Sequence, residues 1–458
     1  MRILHAIHDF LPRHRAGSEI YACELARTQS RRHDVFVVAA EYDPSTAHGT
    51  LRWREYQGLT VIELVNNWEF RGFDETYASE RVNAQLRHVL DATLPDVVHV
   101  HNLLNLSFDL PRLAKAQGIP TVATLHDYTL VCPSGGQRVH VAESHVCDTI
   151  DTARCARCFN ESAFSRQLAA GRVINRGPGR LAGRVGRQLA KVAPRLAMSA
   201  AAAVDRADVT ARDIHRRLAY ARHVLDTIDL FVAPSASIGE EFARLGAPPG
   251  RIEVSDYGFA ALPRVERMSR DAGAPLRLGF VGTLVWHKGV HVLIDAARGL
   301  TGSFEVHIHG DTNVFPPYVD RLRQAAAGLP IAFHGRFDRD RVTEVYASLD
   351  VLIVPSLWPE NSPLVIHEAF MSGVPVVGAR IGGVPGLVRD SIDGLLYEPF
   401  SVDALRARLQ QLMDDRALVC ALARAVPAVK TIDADAEAWD VRYARLTPRQ
   451  ATGATVTA

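Results

Sequence analysis

Short, uninterrupted runs of apolar residues alternate with longer amphipathic stretches in the first half of the chain. Such runs are typical of strands that are buried on both faces of a parallel sheet. They predict strands at residues 2–7, 35–40, 97–100, 121–125 and 229–235. Helices are predicted between them, at 17–31 and 111–116. Strands that alternate with helices predict a doubly wound α/β sheet.

The same pattern starts again after a stretch rich in proline, alanine and arginine at 260–275. Two segments look alike, Asp229-Leu-Phe-Val-Ala-Pro-Ser235 and Asp350-Val-Leu-Ile-Val-Pro-Ser356. They could be equivalent strands of two similar domains, or the similarity could be due to chance. Two open α/β sheets that face each other would place a ligand in the crevice at their strand C termini. The second set of strands is predicted at 276–281, 304–309, 331–334, 351–354 and 374–377, with a helix at 289–297.

Two glutamates, Glu360 and Glu368, flank a predicted helix start in the second half. Ser362 is a natural N-cap, Pro363 suits the first helical position, and Gly373 closes the helix. Free N–H groups and the positive end of the helix dipole favour a phosphate there. Two carboxylates around such a site suit a ligand with hydroxyls at both ends and phosphate in the middle, such as a nucleotide sugar. Glutamates are common on helices, so the spacing alone does not separate this function from chance.

The residues around this pair resemble the signature of retaining family-4 glycosyltransferases of the GT-B fold. The resemblance is carried by residues 350–356 before the pair and by Gly373-Val-Pro-Val-Val377 after it. It runs from about residue 276 to residue 399, and weaker motifs extend it over most of the chain. It implies an α/β protein with two facing Rossmann-like domains and a cleft between them.

The resemblance also divides the chain. Residues 1–262 would form an N-terminal, acceptor-side domain that carries an insert at about 132–225. Residues 275–430 would form a C-terminal domain that binds the nucleotide sugar. A helix at 431–447 would cross back to the first domain, and the tail at 448–458 is predicted to be disordered.

The donor site is also assigned by the resemblance. In the family the first glutamate contacts the donor sugar and the second contacts the ribose, roles that fall here on Glu360 and Glu368. Lys288, after a glycine turn, would place a point charge on the diphosphate. The family usually has arginine where Thr283 stands, and His287 or Arg380 could compensate. The predicted donor-binding set is Gly17, Gly282, Thr283, Lys288, Glu360, Asn361, Ser362, Pro363, Leu364 and Glu368.

Three residues are predicted to be catalytic: His126, Glu360 and Lys288. His126 follows a predicted strand and so points into the proposed cleft. The resemblance implies that it lines the reaction centre through its backbone carbonyl or its imidazole. His99 and His101 lie near another strand end and receive no role. No cofactor is expected for the chemistry, because Lys288 and backbone N–H groups would meet the charge on the leaving diphosphate.

Four of the six cysteines cluster soon after His126, at Cys132, Cys147, Cys155 and Cys158. Four thiols in one polar loop fit tetrahedral zinc, which would order a segment that cannot fold by burial alone. Free thiols and disulfides are the alternatives, and disulfides suit a cytoplasmic chain least. A zinc ion held by four thiolates would be structural, because no coordination position stays open for catalysis.

The charge of the whole chain is nearly balanced, at a formal +1 over 458 residues, which gives no general case for nucleic-acid binding. No apolar run approaches the ~18–20 residues of a spanning helix, so we expect a cytoplasmic protein. Residues 166–195 are strongly basic and contain no Asp or Glu. They indicate either contact with an anionic membrane surface or a solvated insert, and the segment lacks the interleaved aromatics of a nucleic-acid site.

These features predict a retaining glycosyltransferase. It would move a sugar from a UDP- or GDP-sugar to a hydroxyl of a glycan or lipid-linked glycan, as in the synthesis of cell-surface polysaccharides. One alternative is another GT-B enzyme, such as a nucleotide-sugar epimerase or a sugar-phosphate synthase. An epimerase would form product from the donor alone. The other alternative is a non-catalytic scaffold, which would bind the donor without turnover.

Overall fold

The computed structural model describes residues 1–175, 208–262 and 273–447. The tail predicted at 448–458 lies outside this part of the chain. The strands of the first half are β1 (Arg2–Ile7), β2 (Asp34–Glu41), β3 (Leu51–Tyr56), β4 (Leu59–Val65), β5 (Val97–Val100), β6 (Thr121–Thr124), β7 (Val139–His140), β8 (His145–Val146), β9 (Leu230–Ala233) and β10 (Ile252–Val254).

Eight of these strands form one sheet in the order β10-β9-β6-β5-β1-β2-β4-β3. Its neighbours run parallel except β3, which pairs antiparallel with β4. The short strands β7 and β8 form a separate antiparallel pair. The helices of this half are α1 (Gly17–Gln29), α2 (Glu80–Thr93), α3 (Leu110–Ala116), α4 (Thr152–Glu161), α5 (Ala163–Asn175), α6 (Ala211–Thr227) and α7 (Ala236–Arg244).

The second half holds a six-stranded parallel sheet. Its strands are β11 (Leu276–Val281), β12 (Phe304–His309), β13 (Ile331–Gly335), β14 (Val351–Val354), β15 (Val376–Ala379) and β16 (Gly394–Tyr397), in the order β13-β12-β11-β14-β15-β16. Its helices are α8 (Val290–Ala297), α9 (Pro316–Ala325), α10 (Val342–Ala347), α11 (Leu364–Met371), α12 (Val384–Leu387), α13 (Val402–Asp414) and α14 (Arg416–Ala425).

The last described helix, α15 (Ile432–Leu446), packs on α1 of the first half. It buries Trp439 and Tyr443 in the same apolar cluster as Ile3, Leu25 and Val37. Two fully buried aromatic side chains contribute several kcal/mol of apolar burial, on the order of 2–3 kcal/mol each. The end of the described chain is therefore part of the first domain's core.

Each sheet reverses its strand order next to its first strand. In the first sheet β1 lies between β2 and β5, and in the second β11 lies between β12 and β14. Parallel α/β sheets bind ligands outside the carboxyl ends of the strands at such points. The doubly wound α/β fold class with two Rossmann-like domains is confirmed.

Some elements differ from the sequence prediction. The strand predicted at 374–377 is observed as β15, two residues later. β3, β4, β7, β8, β10 and β16 were not predicted. β3, Leu-Arg-Trp-Arg-Glu-Tyr, is a partly exposed edge strand that carries charges at its second, fourth and fifth positions, so it lacks the apolar run of a central strand.

Candidate functional site

A cleft of about 450 Å³ lies where the carboxyl ends of the two sheets face each other. The first domain contributes His8, residues 16–19, His126, Asp127, Gly135, Gln137 and Tyr257. The second domain contributes Phe280, Val281, Gly282, Thr283, Lys288, Ile353, Val354, Ser356, Trp358 and residues 360–365. Every residue of the predicted donor-binding set lines this cleft except Glu368.

Lys288 and Glu360 form an ion pair inside the cleft. The ammonium group lies 2.7 and 2.9 Å from the two carboxylate oxygens, and it sits 5.3 Å from the centre of the Trp358 ring. Ser356 donates a further hydrogen bond to the same carboxylate at 2.6 Å. Because Glu360 is only 5% exposed, its charge depends on these partners. A phosphate that entered beside Lys288 would compete with Glu360 for the ammonium group.

The cation that the family places at Thr283 is not replaced by either candidate. Burial, with help from Lys288, lowers the pKa of His287 to about 4, so this imidazole is neutral near pH 7. Arg380 does not line the cleft and pairs with Asp390 at 2.9 Å. Among the described residues that line the cleft, Lys288 is the only lysine or arginine.

The N-terminus of α11 opens into the cleft beside this ion pair. The prediction that Ser362 caps this helix is wrong: the N-cap position is Pro363, and the Ser362 hydroxyl donates to Asp256 of the first domain at 2.7 Å. Leu364, the first helical residue, lies against Gly17, where an added Cβ would come within 2.8 Å of its side chain. The starts of α1 and α11 therefore meet across the cleft, and both present N–H groups that suit an anion.

Two glycines hold the loop that carries Glu360. An added Cβ on Gly382 would lie 2.4 Å from the carbonyl oxygen of Glu360, and one on Gly383 would lie 2.0 Å from that of Asn361. The Gly383 N–H also donates to the Glu360 carbonyl at 2.6 Å. Backbone therefore packs directly on backbone, which only glycine permits without a shift.

Glu368 lies inside α11, away from the residues that line the cleft. Its carboxylate accepts a hydrogen bond from the Tyr346 hydroxyl at 3.0 Å and pairs with Arg339 at 3.3 Å. Burial raises the pKa of Glu368, with Arg339 acting against that shift. A ribose contact would require the exposed Arg339 side chain to give way or to share the carboxylate.

His126 occupies the centre of the contact between the domains. Its backbone carbonyl accepts from the Asn361 amide of the second domain. Its ring lies 2.8 Å from the Tyr257 hydroxyl through Nδ1 and 3.0 Å from His101 through Nε2. Burial lowers the pKa of His126 to about 3. Both ring nitrogens and the carbonyl are thus already bonded within the protein, and a sugar contact through any of them requires exchange.

The first-domain side of the cleft is acidic, which was not predicted from the sequence. Glu19 lies 3.3 Å from His8, and its other oxygen accepts from the Ala16 N–H at 3.1 Å. Burial raises the pKa of Asp127, whose carboxylate accepts from the Thr129 N–H. Both carboxylates follow a strand or begin a helix at the sheet's carboxyl edge, a position that could have identified them.

The four clustered cysteines lie near one another in the insert. Each is half-buried, and burial raises the pKa of Cys155 to about 12 and that of Cys158 to about 11, with the neighbouring thiols adding to the shift. In the described part of the chain, no three of these sulfur atoms lie within 4.8 Å of one another. Tetrahedral zinc with Zn–S bonds near 2.3 Å needs sulfur atoms about 3.8 Å apart. The thiols would have to move closer to hold the ion.

The basic stretch at 166–195 lies mostly outside the described residues. Only its first part, within α5, is described. Within the described ranges, no helix is both long and apolar enough to cross a membrane.

Family models match both of the domains that form the cleft. A family model described as "Glycosyl transferases group 1" matches residues 268–427, and one described as "Glycosyltransferase Family 4" matches residues 15–167. The sulfoquinovosyl transferase SQD2 of Arabidopsis thaliana is 28% identical over 201 residues, which are 41% of this chain and 38% of that protein. The D-inositol 3-phosphate glycosyltransferase of Corynebacterium glutamicum (strain R) is 35% identical over 162 residues, 33% of this chain and 38% of that protein.

These matches span 38% of the length of each of those two curated relatives. A solved structure, Anabaena Alr3699/HepE in complex with UDP and glucose, superposes with a TM-score of 0.61 at 16% identity and covers 96% of this chain and 99% of that one. At that identity the similarity shows the fold alone. Two facing Rossmann-like domains with the cleft between them define a protein of the GT-B class.

The two family models together match most of the chain, one in each domain. The chain therefore carries the two glycosyltransferase domains that these models describe, Glycosyltransferase Family 4 in the first domain and Glycosyl transferases group 1 in the second. The predicted family is confirmed, whereas the roles of individual residues stay predictions.

Proposed function

We propose that this protein is a retaining glycosyltransferase that moves a sugar from a nucleotide diphosphate sugar to a hydroxyl group. The observation that carries the proposal is the placement of Lys288, Glu360 and the start of α11 in one cleft, opposite Gly17 and His126 of the other domain. A cationic side chain and free helix N–H groups suit the diphosphate, and a buried carboxylate suits sugar hydroxyls.

The donor would lie along the second domain. Its diphosphate would meet Lys288 and the N–H groups at the start of α11, and its sugar would take over bonds of the Glu360 carboxylate. The bond between the anomeric carbon and the phosphate oxygen breaks, and a bond to the acceptor oxygen forms on the same face. The acceptor proton passes to the leaving diphosphate. Retention is the outcome implied by the resemblance of the Glu360–Glu368 motif, and no metal ion is required for these steps.

The acceptor would enter from the first domain, where Glu19 and Asp127 line the cleft. Carboxylates accept hydrogen bonds from sugar hydroxyls, which suits a glycan or a lipid-linked glycan. Contact of the basic stretch at 166–195 with anionic lipid would bring a lipid-linked acceptor to this side. A uridine or guanosine nucleotide is the expected donor, and the Anabaena protein with a similar fold was solved with UDP.

The test is calorimetric titration of UDP and of GDP into the purified protein, with EDTA present. We expect one nucleotide to bind, and we expect Lys288→Ala to weaken it about tenfold or more, equivalent to about 1.4 kcal/mol. Glu368→Ala is expected to weaken the same nucleotide through the ribose. Binding that needs a divalent metal would contradict the proposed charge neutralisation.

Arg380→Ala is the matched control, because it also removes one cation from the second domain but lies outside the cleft and pairs with Asp390. It should bind the nucleotide as the parent does. If neither nucleotide binds the parent, or if Lys288→Ala binds unchanged, the donor site is assigned incorrectly. If Lys288→Ala weakens nucleotide binding but Glu368→Ala does not, Glu368 does not bind the ribose, whereas Lys288 keeps its assignment to the phosphate site.

We also propose that Cys132, Cys147, Cys155 and Cys158 hold one structural zinc ion. The proposal is supported by four half-buried thiols within one polar insert, and burial, with the neighbouring thiols adding to it, raises the pKa of Cys147, Cys155 and Cys158. We expect about one zinc per chain by metal analysis after purification without chelator. Cys155→Ser should release the zinc, whereas Cys420→Ser, at an exposed cysteine of the second domain, should retain it. Metal-free parent protein with reactive thiols would contradict the proposal.

A further inference from the structure

A continuous chain of buried hydrogen bonds leads from the cleft into the core of the first domain. Tyr257, which borders the cleft, bonds His126, and His126 bonds His101. Every link is between 2.7 and 3.3 Å. The later links are His101 to His5 at 2.9 Å, His5 to Gln29 at 2.9 Å, Gln29 to Tyr443 at 3.3 Å, Tyr443 to His99 at 2.7 Å and His99 to Thr124 at 2.7 Å.

The direction of this chain follows from the amide of Gln29. Its Oε1 faces His5 and can only accept, so His5 carries its hydrogen on Nε2. The Nδ1 of His5 is then an acceptor, which requires a hydrogen on Nε2 of His101. By the same step His126 carries its hydrogen on Nε2 and donates to Nδ1 of His101.

The consequence appears at the cleft. With its hydrogen on Nε2, His126 has an unprotonated Nδ1, which takes the hydroxyl hydrogen of Tyr257 at 2.8 Å. The hydroxyl hydrogen of Tyr257 is therefore committed to the protein. Any ligand hydroxyl that reaches Tyr257 must donate to its oxygen.

Charge does not travel along this chain. His5, His99 and His101 are at most 3% exposed and His126 is half-buried, and burial lowers the pKa of His5 to about 4 and that of His126 to about 3. The charged groups that shift the pKa values of His99, His101 and His126 are other histidines, His8 and Arg442, and each of them lowers the pKa. The carboxylates Asp127, Asp256 and Asp435 act on Tyr257. An amide oxygen is a very weak base, so Gln29 also ends any proton transfer from the cleft.

We propose that His101, His5 and Gln29 are positioning residues for the reaction centre. They hold His126 in the neutral form with its hydrogen on Nε2, so that Tyr257 meets a substrate hydroxyl as a hydrogen-bond acceptor. The inference rests on the proposed function for the identity of the substrate. The predicted protonation of the histidines does not depend on the proposed function.

The first test reads the histidines directly in the parent protein. Nitrogen-15 labelled histidine gives ring signals that distinguish a protonated from an unprotonated nitrogen, and difference spectra with His126→Asn and His101→Asn assign them. We expect His126, His101 and His5 to be neutral with hydrogen on Nε2 from pH 8 down to pH 5. Hydrogen on Nδ1 of His126, or an imidazolium at pH 6, would overturn the proposal whether or not the protein has been shown to transfer sugar.

The second test compares two substitutions at one position. His101→Leu removes the acceptor for His126, and we expect kcat to fall about tenfold or more with the donor Kd unchanged, since misplaced groups cost rate more than binding. In His101→Asn the side-chain oxygen occupies the place of Nδ1, so it should restore the His126 signal and most of kcat. Tyr257→Phe should lower kcat as His101→Leu does.

The outcomes separate this proposal from the proposed function. If the parent binds no nucleotide, the function fails while the nitrogen spectra still decide the histidine states. If His101→Leu folds and shifts His126 to the other tautomer with full kcat, the chain is only structural and the proposal is wrong. If His101→Leu does not fold, His101→Asn and Tyr257→Phe still decide, because equal kcat in Tyr257→Phe and the parent excludes a role for the tyrosine.

Discussion

The two domains contain one strand-to-helix junction each that can be compared residue by residue. β9 is preceded by Asp229 and followed by Pro234 and Ser235, and β14 is preceded by Asp350 and followed by the same pair of residues. The Asp229 N–H donates to the Thr121 carbonyl at the start of β6, and the Asp229 carboxylate accepts the Thr121 N–H at 2.8 Å.

Asp350 does the same in the second domain. Its N–H donates to the Arg277 carbonyl, and its carboxylate accepts the Arg277 N–H at 2.9 Å at the start of β11. The two segments therefore make the same local strand-start contact with a neighbouring strand, although β14 lies directly beside the first strand of its sheet and β9 lies third from β1. What differs is the chain after the serine.

In the first domain the helix begins at once, at Ala236. In the second, residues 357–363 intervene before α11 begins at Leu364, and these residues include Trp358, Glu360 and Asn361. Ser356 no longer starts a helix and instead donates to Glu360. The comparison teaches that the same local strand start can lead into different chains, and that the chemistry of the second domain resides in the loop that follows its strand.

The prediction with the largest expected effect removes the negative charge of Glu360 in this loop. Glu360→Gln keeps the shape of the side chain but leaves Lys288 without its anionic partner. We expect kcat/KM for sugar transfer or donor hydrolysis to fall about 10²–10³-fold, the usual loss when one preorganised group of an active site is removed. Steady-state kinetics on the folded variant is the measurement.

Glu240→Gln is the matched control, since Glu240 follows Ser235 in the first junction at nearly the same spacing and is exposed. Its kcat/KM should equal that of the parent. Equal losses in the two variants would show that the inserted loop has no special role. A full loss of folding in Glu360→Gln, seen in urea denaturation, would assign the residue to stability rather than to the reaction.

The repeated junction also shows how far the sequence could be read. The buried strands at 276–281, 304–309 and 351–354 were predicted to the residue, because continuous apolar runs have few other solutions in an α/β protein. The cleft residues Lys288, Glu360 and Asn361 were predicted through the family resemblance of the motifs that contain them. The predicted Ser362 cap was wrong, because a distant carboxylate, Asp256, competes for the hydroxyl.

Other features of the site depend on contacts that no local pattern contains. His5, Gln29, His99, His101 and Tyr443 come from four different segments. Tyr443 joins the others only because α15 packs on α1. Likewise, the occupation of both His126 ring nitrogens depends on Tyr257, far along the chain. A single sequence shows a histidine at a strand end, and it does not show which bonds the ring already makes.

The second prediction tests what holds the inserted loop in place. In Gly383→Ala the new Cβ would lie 2.0 Å from the Asn361 carbonyl oxygen, so the loop must shift at a cost of about 1–3 kcal/mol. We expect the nucleotide Kd measured by calorimetry to rise about tenfold, because the displaced loop carries Glu360 and Asn361.

Gly386→Ala is the control for this change. Gly386 lies in the same segment, and an added Cβ would meet nothing within 4 Å. It should keep the parent affinity and stability. If Gly383→Ala also binds normally at the parent's stability, backbone packing on the loop does not position the site.

The smallest expected effect is on stability, and it concerns the aspartates that precede β9 and β14. Asp229→Ala and Asp350→Ala each leave a strand-start N–H without its carboxylate, and we expect each to lower the free energy of unfolding by about 1–3 kcal/mol. Asp350→Ala should cost slightly more, since Asp350 also pairs with the Arg277 guanidinium at 3.2 Å. Urea denaturation measures both, and nucleotide affinity should stay unchanged in the folded variants because neither aspartate lines the cleft. If Asp350→Ala weakened the nucleotide while Asp229→Ala left it unchanged, the strand start of the second domain would belong to the site. The separation between a shared strand-start contact and a functional loop would then be wrong.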